Sequence, residues 1–239
     1  MHEHPPGLPP SHSAEAPADD AARAVRVQLL TTEHWSLLSS RNLAWNEASS
    51  RAGMFLTVLT GAVVALALVA QATGFSDAFV VFALLLLPIV LFVGLTTFAR
   101  LNEINEEDLY WVQGMNRLRR AYLDIDPGLG EYFVAGSTED VVGVLRTYGT
   151  REPASPSMRG NITHALITMP AMILVIDSVV AAVLVGLVLG QLGTSMEASA
   201  LGAAIGFVVV FAVASWWEGR KAIAFWASDR RGREDDPSG

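Results

Sequence analysis

The chain has 239 residues, of which 51% are hydrophobic and 17% are charged, and its formal net charge is −8. A soluble domain carries about a quarter charged residues, whereas here the apolar residues are concentrated in four stretches of about 20 residues, the length that crosses a hydrocarbon layer as a helix. This pattern excludes a soluble globular domain and an outer-membrane barrel, whose strands alternate apolar and polar residues.

The N-terminal part of the chain predicts a tail followed by one long helix. Residues 1–20 are rich in Pro, Ser and His and have no apolar stretch, so they predict a disordered cytoplasmic tail rather than a signal peptide. Residues 21–51 contain no Pro or Gly and carry apolar side chains at three- and four-residue spacing. Because no helix breaker precedes Gly53, we expect this cytoplasmic helix to continue into the first apolar stretch, residues 52–72.

The second apolar stretch, residues 79–98, is followed by a helical pattern that Pro127 and Gly128 should stop. Residues 21–125 therefore form one predicted domain: a cytoplasmic helix, a transmembrane hairpin and a returning cytoplasmic helix. Residues 126–160 predict a cytoplasmic linker with one short helix.

That short helix is predicted at about residues 138–148. Ser137 and Asp140 have the spacing of a capping box, and Gly149 is typical of a helix C-terminus.

Two further apolar stretches, at residues 165–189 and 198–217, predict a second transmembrane hairpin within residues 161–230. Residues 231–239 predict a polar tail. Pro88 and Pro170 are expected to kink or locally open the helices that contain them.

The basic residues predict the orientation of the chain. All 16 lie outside the apolar stretches, and none lies in the short connections at residues 74–77 and 190–197. By the positive-inside rule, both termini and the long middle segment face the cytoplasm. The bias to arginine over a single lysine, Lys221, is typical of a GC-rich bacterial genome and points to the inner (plasma) membrane. The predicted fold class is an all-α polytopic membrane protein with four transmembrane helices and long cytoplasmic helical extensions.

Asp177 is the main candidate for a functional residue, because it has about ten apolar-rich positions on each side. At about 1.5 Å per residue it lies near the predicted bilayer centre, where an ionised carboxylate costs roughly 2.5–3.5 kcal/mol. No Arg or Lys lies in any apolar stretch to pair with it. Three interpretations stay open. Asp177 is a protonated acid bonded to Ser178, Thr57, Thr60 or another polar group, and so holds helices together; or it lines a hydrated path for cations or protons, a midplane site to which Ser178, Thr57 and Thr60 would also belong; or it forms a ring around an oligomer axis.

Two other groups of residues are candidates. Asp77 and Glu197, one in each outer connection, would attract cations to an outer mouth. Four glycines at i, i+4 spacing allow close helix packing, within the second hairpin or between chains: Gly186, Gly190, Gly202 and Gly206.

Acidic residues cluster just after the second apolar stretch: Glu103, Glu106, Glu107 and Asp108. Divalent cations use such oxygens, but one helix supplies too few ligands, so we favour a solvated acidic face and expect no metal site. We also expect no cofactor and no nucleic-acid partner, because no basic patch and no cofactor motif is present. No catalytic constellation is apparent, and an enzyme is not expected.

These observations lead to two hypotheses of function. The first is a homo-oligomeric channel-like or pore-forming protein that passes cations or protons through a midplane site at Asp177. The second is a non-conducting scaffold or partner subunit that lies in the lipid bilayer. Its cytoplasmic helices dock another protein, while Asp177 only holds helices together.

Overall fold

The structure, a computed structural model, describes residues 15–149 and 168–234 of the chain. All regular secondary structure in the described residues is helical and none of it is strand, which confirms the all-α prediction. Residues 1–14, 150–167 and 235–239, which include much of the predicted tails and part of the predicted linker, lie outside the described residues. The described parts of the chain contain five α-helices and one 3-10 helix, in chain order α1 (Glu15–Thr73), α2 (Asp77–Ile125), the 3-10 helix (Pro127–Tyr132), α3 (Val141–Thr147), α4 (Met169–Gln191) and α5 (Met196–Glu234).

The two long helices have the predicted continuity. α1 is one unbroken helix of 59 residues, and α2, of 49 residues, contains Pro88 and ends at Ile125, directly before the predicted stop. The carboxylate of Asp126 accepts a hydrogen bond from the backbone N–H of Gly128 and so begins the 3-10 helix. α1 begins at Glu15, earlier than predicted, and Pro17 lies in its first turn, where proline is tolerated.

The short helix α3 begins later than predicted. Asp140 is its N-cap, and the carboxylate accepts a hydrogen bond from the backbone N–H of Gly143. The predicted capping box, which placed Ser137 at the N-cap, is therefore wrong by three residues, since Asp140 satisfies the first turn itself. Gly149 follows the helix with φ +72°, as expected of a glycine C-terminal stop.

In α4, Pro170 lies in the first turn rather than in the interior. The predicted kink at Pro170 is therefore wrong, because an N–H group in the first turn has no intrahelical acceptor, so a proline there removes no helix hydrogen bond. Short turns join α1 to α2 and α4 to α5, and each contains a glycine with positive φ, Gly74 at +64° and Gly193 at +77°. α5 continues past the predicted end of its apolar stretch to Glu234.

Four helices, α1, α2, α4 and α5, are long and apolar enough to cross a membrane by length and composition. The chain divides into two compact units. The polar unit contains residues 15–43 and 108–149, and the apolar unit contains residues 44–107 and 168–234.

Candidate functional site

Asp177 is the ninth residue of α4 and is completely buried within its own chain, with 0% of its surface exposed. Neither carboxylate oxygen has a hydrogen-bond partner among the described residues. An unpartnered buried carboxyl is rare, because a polar group that leaves water without a replacement partner costs several kcal/mol. The side chain therefore lies in surroundings that do not stabilise its charge.

A glycine of the neighbouring helix makes room for this carboxyl. A Cβ atom built on Gly94 of α2 would overlap the carboxyl group of Asp177. The Asp177 side chain thus lies directly against the α2 backbone, in space that any other residue at position 94 would fill. Gly94 was not among the predicted site residues, because a single glycine in an apolar helix has no distinguishing pattern until its neighbour in space is known.

The hydroxyl groups predicted to accompany Asp177 bind elsewhere. Ser178 follows Asp177 in the chain and is also buried, but its hydroxyl donates to the carbonyl of Leu174, one turn back, at 2.8 Å. Thr57 and Thr60 are exposed and donate to the carbonyl groups of Gly53 and Leu56. Such bonds are the usual satisfaction of hydroxyls in helices. The structure therefore does not bring these three predicted partners into hydrogen bonds with Asp177.

The two outer acids lie at helix N-termini. Asp77 is the first residue of α2 and Glu197 is the second residue of α5, and both are exposed. A carboxylate in the first turn is favoured by the partial positive charge of the unpaired N–H groups. This first-turn position accounts for the two acids without a bound ion. It is compatible with the predicted outer mouth but does not require one.

Three of the four predicted packing glycines lie where α4 meets α5. A Cβ on Gly186 would lie 3.5 Å from the Cβ of Ala203, and Cβ atoms on Gly202 and Gly206 would crowd side chains of α4. Gly190 has nothing within 4 Å of such an atom. The close approach within the second hairpin therefore uses Gly186, Gly202 and Gly206, and Gly190 makes no tight contact in the described residues.

The acidic cluster of α2 is divided between two different environments. In the apolar unit, Arg100 donates hydrogen bonds to three carboxylates. Its Nε and Nη2 donate to the carboxylate of Glu47 on α1, at 3.0 Å and 3.2 Å. Its Nη1 donates to Glu103 at 3.2 Å and to Glu107 at 2.9 Å. Hydrogen bonds from Arg100 and Arg51 lower the pKa of Glu47 to about 2. This cluster joins α1 to α2 at the end of their apolar stretches.

In the polar unit, Asp108 is nearly buried and binds two partners. Arg41 of α1 forms a two-pronged ion pair with it, at 2.6 Å from Nε and 3.1 Å from Nη2. The Tyr148 hydroxyl donates to the same carboxylate at 2.7 Å, and the Arg41 guanidinium lies over the Tyr148 ring. Partial burial and the bond to Asp108 raise the pKa of the Tyr148 hydroxyl. The predicted solvated acidic face is therefore wrong for Asp108, because α1 and the end of α3 cover it.

A second buried polar group in this unit was not anticipated. Asn116 of α2 is fully buried, and its amide donates to the carbonyl of Thr138 at 2.7 Å. Its oxygen accepts bonds from Arg119 at 2.8 Å and from the Thr147 hydroxyl at 2.6 Å. An amide offers both donors and acceptors, so this one residue joins α2 to both ends of the α3 segment. A lone Asn on a helix face gives no sequence signal of that role.

Within the described residues, no group of three or more His, Asp or Glu side chains is arranged to hold a metal ion. Comparison with protein-family models, with curated proteins and with solved structures gives no match.

Proposed function

We propose that this chain is a bacterial inner-membrane protein whose four apolar helices cross the bilayer, with both termini and the α2–α4 connection in the cytoplasm. The distribution of basic residues supports this orientation, because the turns after α1 and α4 contain none. The Arg220 guanidinium lies 4.7 Å from the centre of the Trp216 ring, at the end of the α5 apolar stretch. Paired aromatic and basic side chains of this kind are typical of a membrane–water interface.

The proposed activity is the passage of cations or protons across this membrane, with Asp177 as the ion-binding group. The observation that supports it is the burial of Asp177 without any hydrogen-bond partner among the described residues. An acid that only held helices together would need a donor or acceptor on a neighbouring helix. The candidates Ser178, Thr57 and Thr60 instead bind carbonyl groups of their own helices. Ionisable groups placed within membrane helices typically mark ion and proton pathways.

The described arrangement corresponds to a closed state of this pathway. Asp177 has no exposed surface and its carboxyl group lies against Gly94. Ions reach it only when α2 and α4 separate at this contact. Asp77 and Glu197 raise the local concentration of cations at the outer end of the route.

The test is reconstitution of the full chain in liposomes and measurement of proton, Na⁺ and K⁺ flux. Asp177→Asn keeps the size of the side chain and removes its charge and its titration. The expected result is measurable cation or proton flux for the unmodified chain and a loss of at least ~10-fold for the variant, because the ionisable group that binds the ion is gone. Equal flux in the two proteins, or none in either, refutes the proposal.

The assembly is proposed to be a homo-oligomer. Asp177 gives no support to this part, since it is enclosed by its own chain rather than exposed toward an axis. The support comes from large apolar side chains of α1 that are exposed in the polar unit, among them Leu29, Trp35 and Leu43. Light scattering of the purified protein in detergent measures the mass, and a monomeric mass refutes the oligomer.

The same exposed apolar residues favour a second candidate function, a non-conducting membrane scaffold that docks another protein in the cytoplasm. In that case Trp35→Ala and Leu43→Ala weaken binding of a defined partner without any effect on ion flux. The two functions are separated by the liposome measurement, because a scaffold passes no ion whether or not Asp177 is present.

A further inference from the structure

The chemistry around Asp177 distinguishes between the ions that the proposed pathway could carry. A metal cation that enters a dry site must exchange its water shell for several oxygen ligands, six to eight for Ca²⁺ and six for Mg²⁺. Filters selective for K⁺ likewise replace the shell with rings of carbonyl oxygens. A proton needs one base only. The number of free oxygen atoms near Asp177 is therefore decisive.

Among the described residues of the apolar unit, the buried polar side chains are those of Asp177, Ser178 and Thr97, and of their polar atoms only the two carboxylate oxygens of Asp177 have no hydrogen-bond partner. The hydroxyl of Ser178 is committed to its own helix, and the buried Thr97 on α2 donates to the carbonyl of Val93 at 2.7 Å. The backbone oxygens of α2 and α4 accept hydrogen bonds within their own helices, except that Pro88 donates none to the carbonyl of Leu84, ten residues and about 15 Å along the axis from Gly94. A single carboxylate cannot substitute for the water shell of Na⁺, K⁺ or a divalent ion.

The space around the carboxyl group leads to the same conclusion. The carboxyl occupies the volume that a Cβ at Gly94 would fill, and no part of Asp177 is exposed. This space holds the carboxyl group itself, and among the described residues no opening beside it admits a hydrated cation.

In the described parts of α2 and α4, the two helices in contact at this site, no neighbouring charge favours the ionised form. Residues 78–99 of α2 contain no ionisable side chain, and Asp177 is the only one in α4. The first charged residue beyond Gly94 on α2 is Arg100, six residues and about 9 Å further along the helix axis, and its donors are taken by carboxylates. An acid in this environment is most stable in its neutral form.

We propose that Asp177 is protonated in the closed state and that the ion carried through this site is the proton; this inference rests on the proposed function. When α2 and α4 separate, the O–H bond breaks, its electron pair stays on the carboxylate, and water on one side of the membrane takes the proton as hydronium. Hydronium from the other side then restores the acid. No electron is transferred and no co-reactant is consumed.

The experiment uses the full chain in liposomes that contain a pH-sensitive dye, with a K⁺ gradient and valinomycin to set the membrane potential. Na⁺ and K⁺ fluxes are measured in separate liposomes without valinomycin. We expect proton flux at least tenfold above the Na⁺ and K⁺ fluxes, lost in Asp177→Asn and retained in Asp124→Asn, a matched change of an exposed acid outside the apolar stretches.

A second measurement does not depend on transport. The infrared spectrum at pH 7 should show the carbonyl stretch of a protonated carboxylic acid that shifts in D₂O and is absent in Asp177→Asn. The inference is overturned, while the proposed function stands, if Na⁺ or K⁺ passes as fast as the proton in an Asp177-dependent manner. Absence of the acid band also overturns it. No flux of any ion overturns both.

Discussion

Replacement of Asp108 by alanine should open the polar unit locally. The change leaves Arg41, whose side chain is 19% exposed, without its carboxylate and leaves the Tyr148 hydroxyl without its acceptor. Removal of one partner of a buried ion pair costs about 3–5 kcal/mol. Because Arg41 keeps some contact with water, we take the lower end, about 3 kcal/mol, which corresponds to a roughly 100-fold change in a local opening equilibrium.

The assay is hydrogen–deuterium exchange of the full-length protein in lipid nanodiscs, followed by mass spectrometry at the amides of residues 141–149. We expect these amides to exchange about 100-fold faster in Asp108→Ala. Asp108→Asn, which keeps one acceptor oxygen but no charge, should give an intermediate increase.

The matched control is Arg117→Ala in the same unit. Arg117 pairs with Glu139, but its side chain is 70% exposed, and a pair of that kind contributes about 0–1 kcal/mol. Exchange should then rise less than about fivefold. If Asp108→Ala and Arg117→Ala accelerate exchange equally, burial does not determine the contribution of these pairs and the reasoning is wrong.

Three further predictions concern other contacts. The pKa of Glu47 is lowered from 4.5 to about 2, so the contribution of this carboxylate to stability is complete above pH 4.5 and is lost as the pH falls toward 2. Thermal unfolding measured from pH 6 to pH 2 should show this loss. Glu47→Gln should remove that part of the pH dependence. Gly206→Leu overpacks the α4–α5 contact and should lower the melting temperature by an amount equivalent to about 1–3 kcal/mol. Gly190→Leu, whose Cβ would have nothing within 4 Å, should not lower it, and an equal loss in the two variants contradicts the packing role of Gly206. Asn116→Ala leaves buried groups around α3 unpaired and should lower the local stability of the 134–149 segment by about 1–3 kcal/mol. Limited proteolysis should then cleave this segment faster, and an unchanged cleavage rate contradicts the role of Asn116.

The sequence was sufficient to predict the helices that have strong local signals. The absence of Pro and Gly from residues 21–51 predicted the unbroken α1, and Pro127 predicted the end of α2. Capping was less predictable, because Ser137 and Asp140 both have side chains that cap helices and only the packing of the segment before α3 selects Asp140. The position of Pro170 depended on where α4 begins, which an apolar sequence does not mark.

The environment of the candidate site could be predicted only in part. Asp177 was identifiable because a charged residue in an apolar stretch is conspicuous in sequence. Its contact with Gly94 was not, because the two residues are far apart in the chain and glycine is common in apolar helices. The burial of Asp108 and Asn116 was missed for a related reason. Both lie among polar residues that have the pattern of a solvated helix face, and only the tertiary fold covers them.

In the proposed membrane topology, the pairing of Arg100 has a consequence for the insertion of the chain. An arginine directs the orientation of a new membrane helix by its net positive charge while the chain leaves the ribosome. In the folded chain that charge is shared among Glu47, Glu103 and Glu107. In that topology Arg100 first orients the helix during insertion and afterwards, with its charge paired, joins α1 to α2.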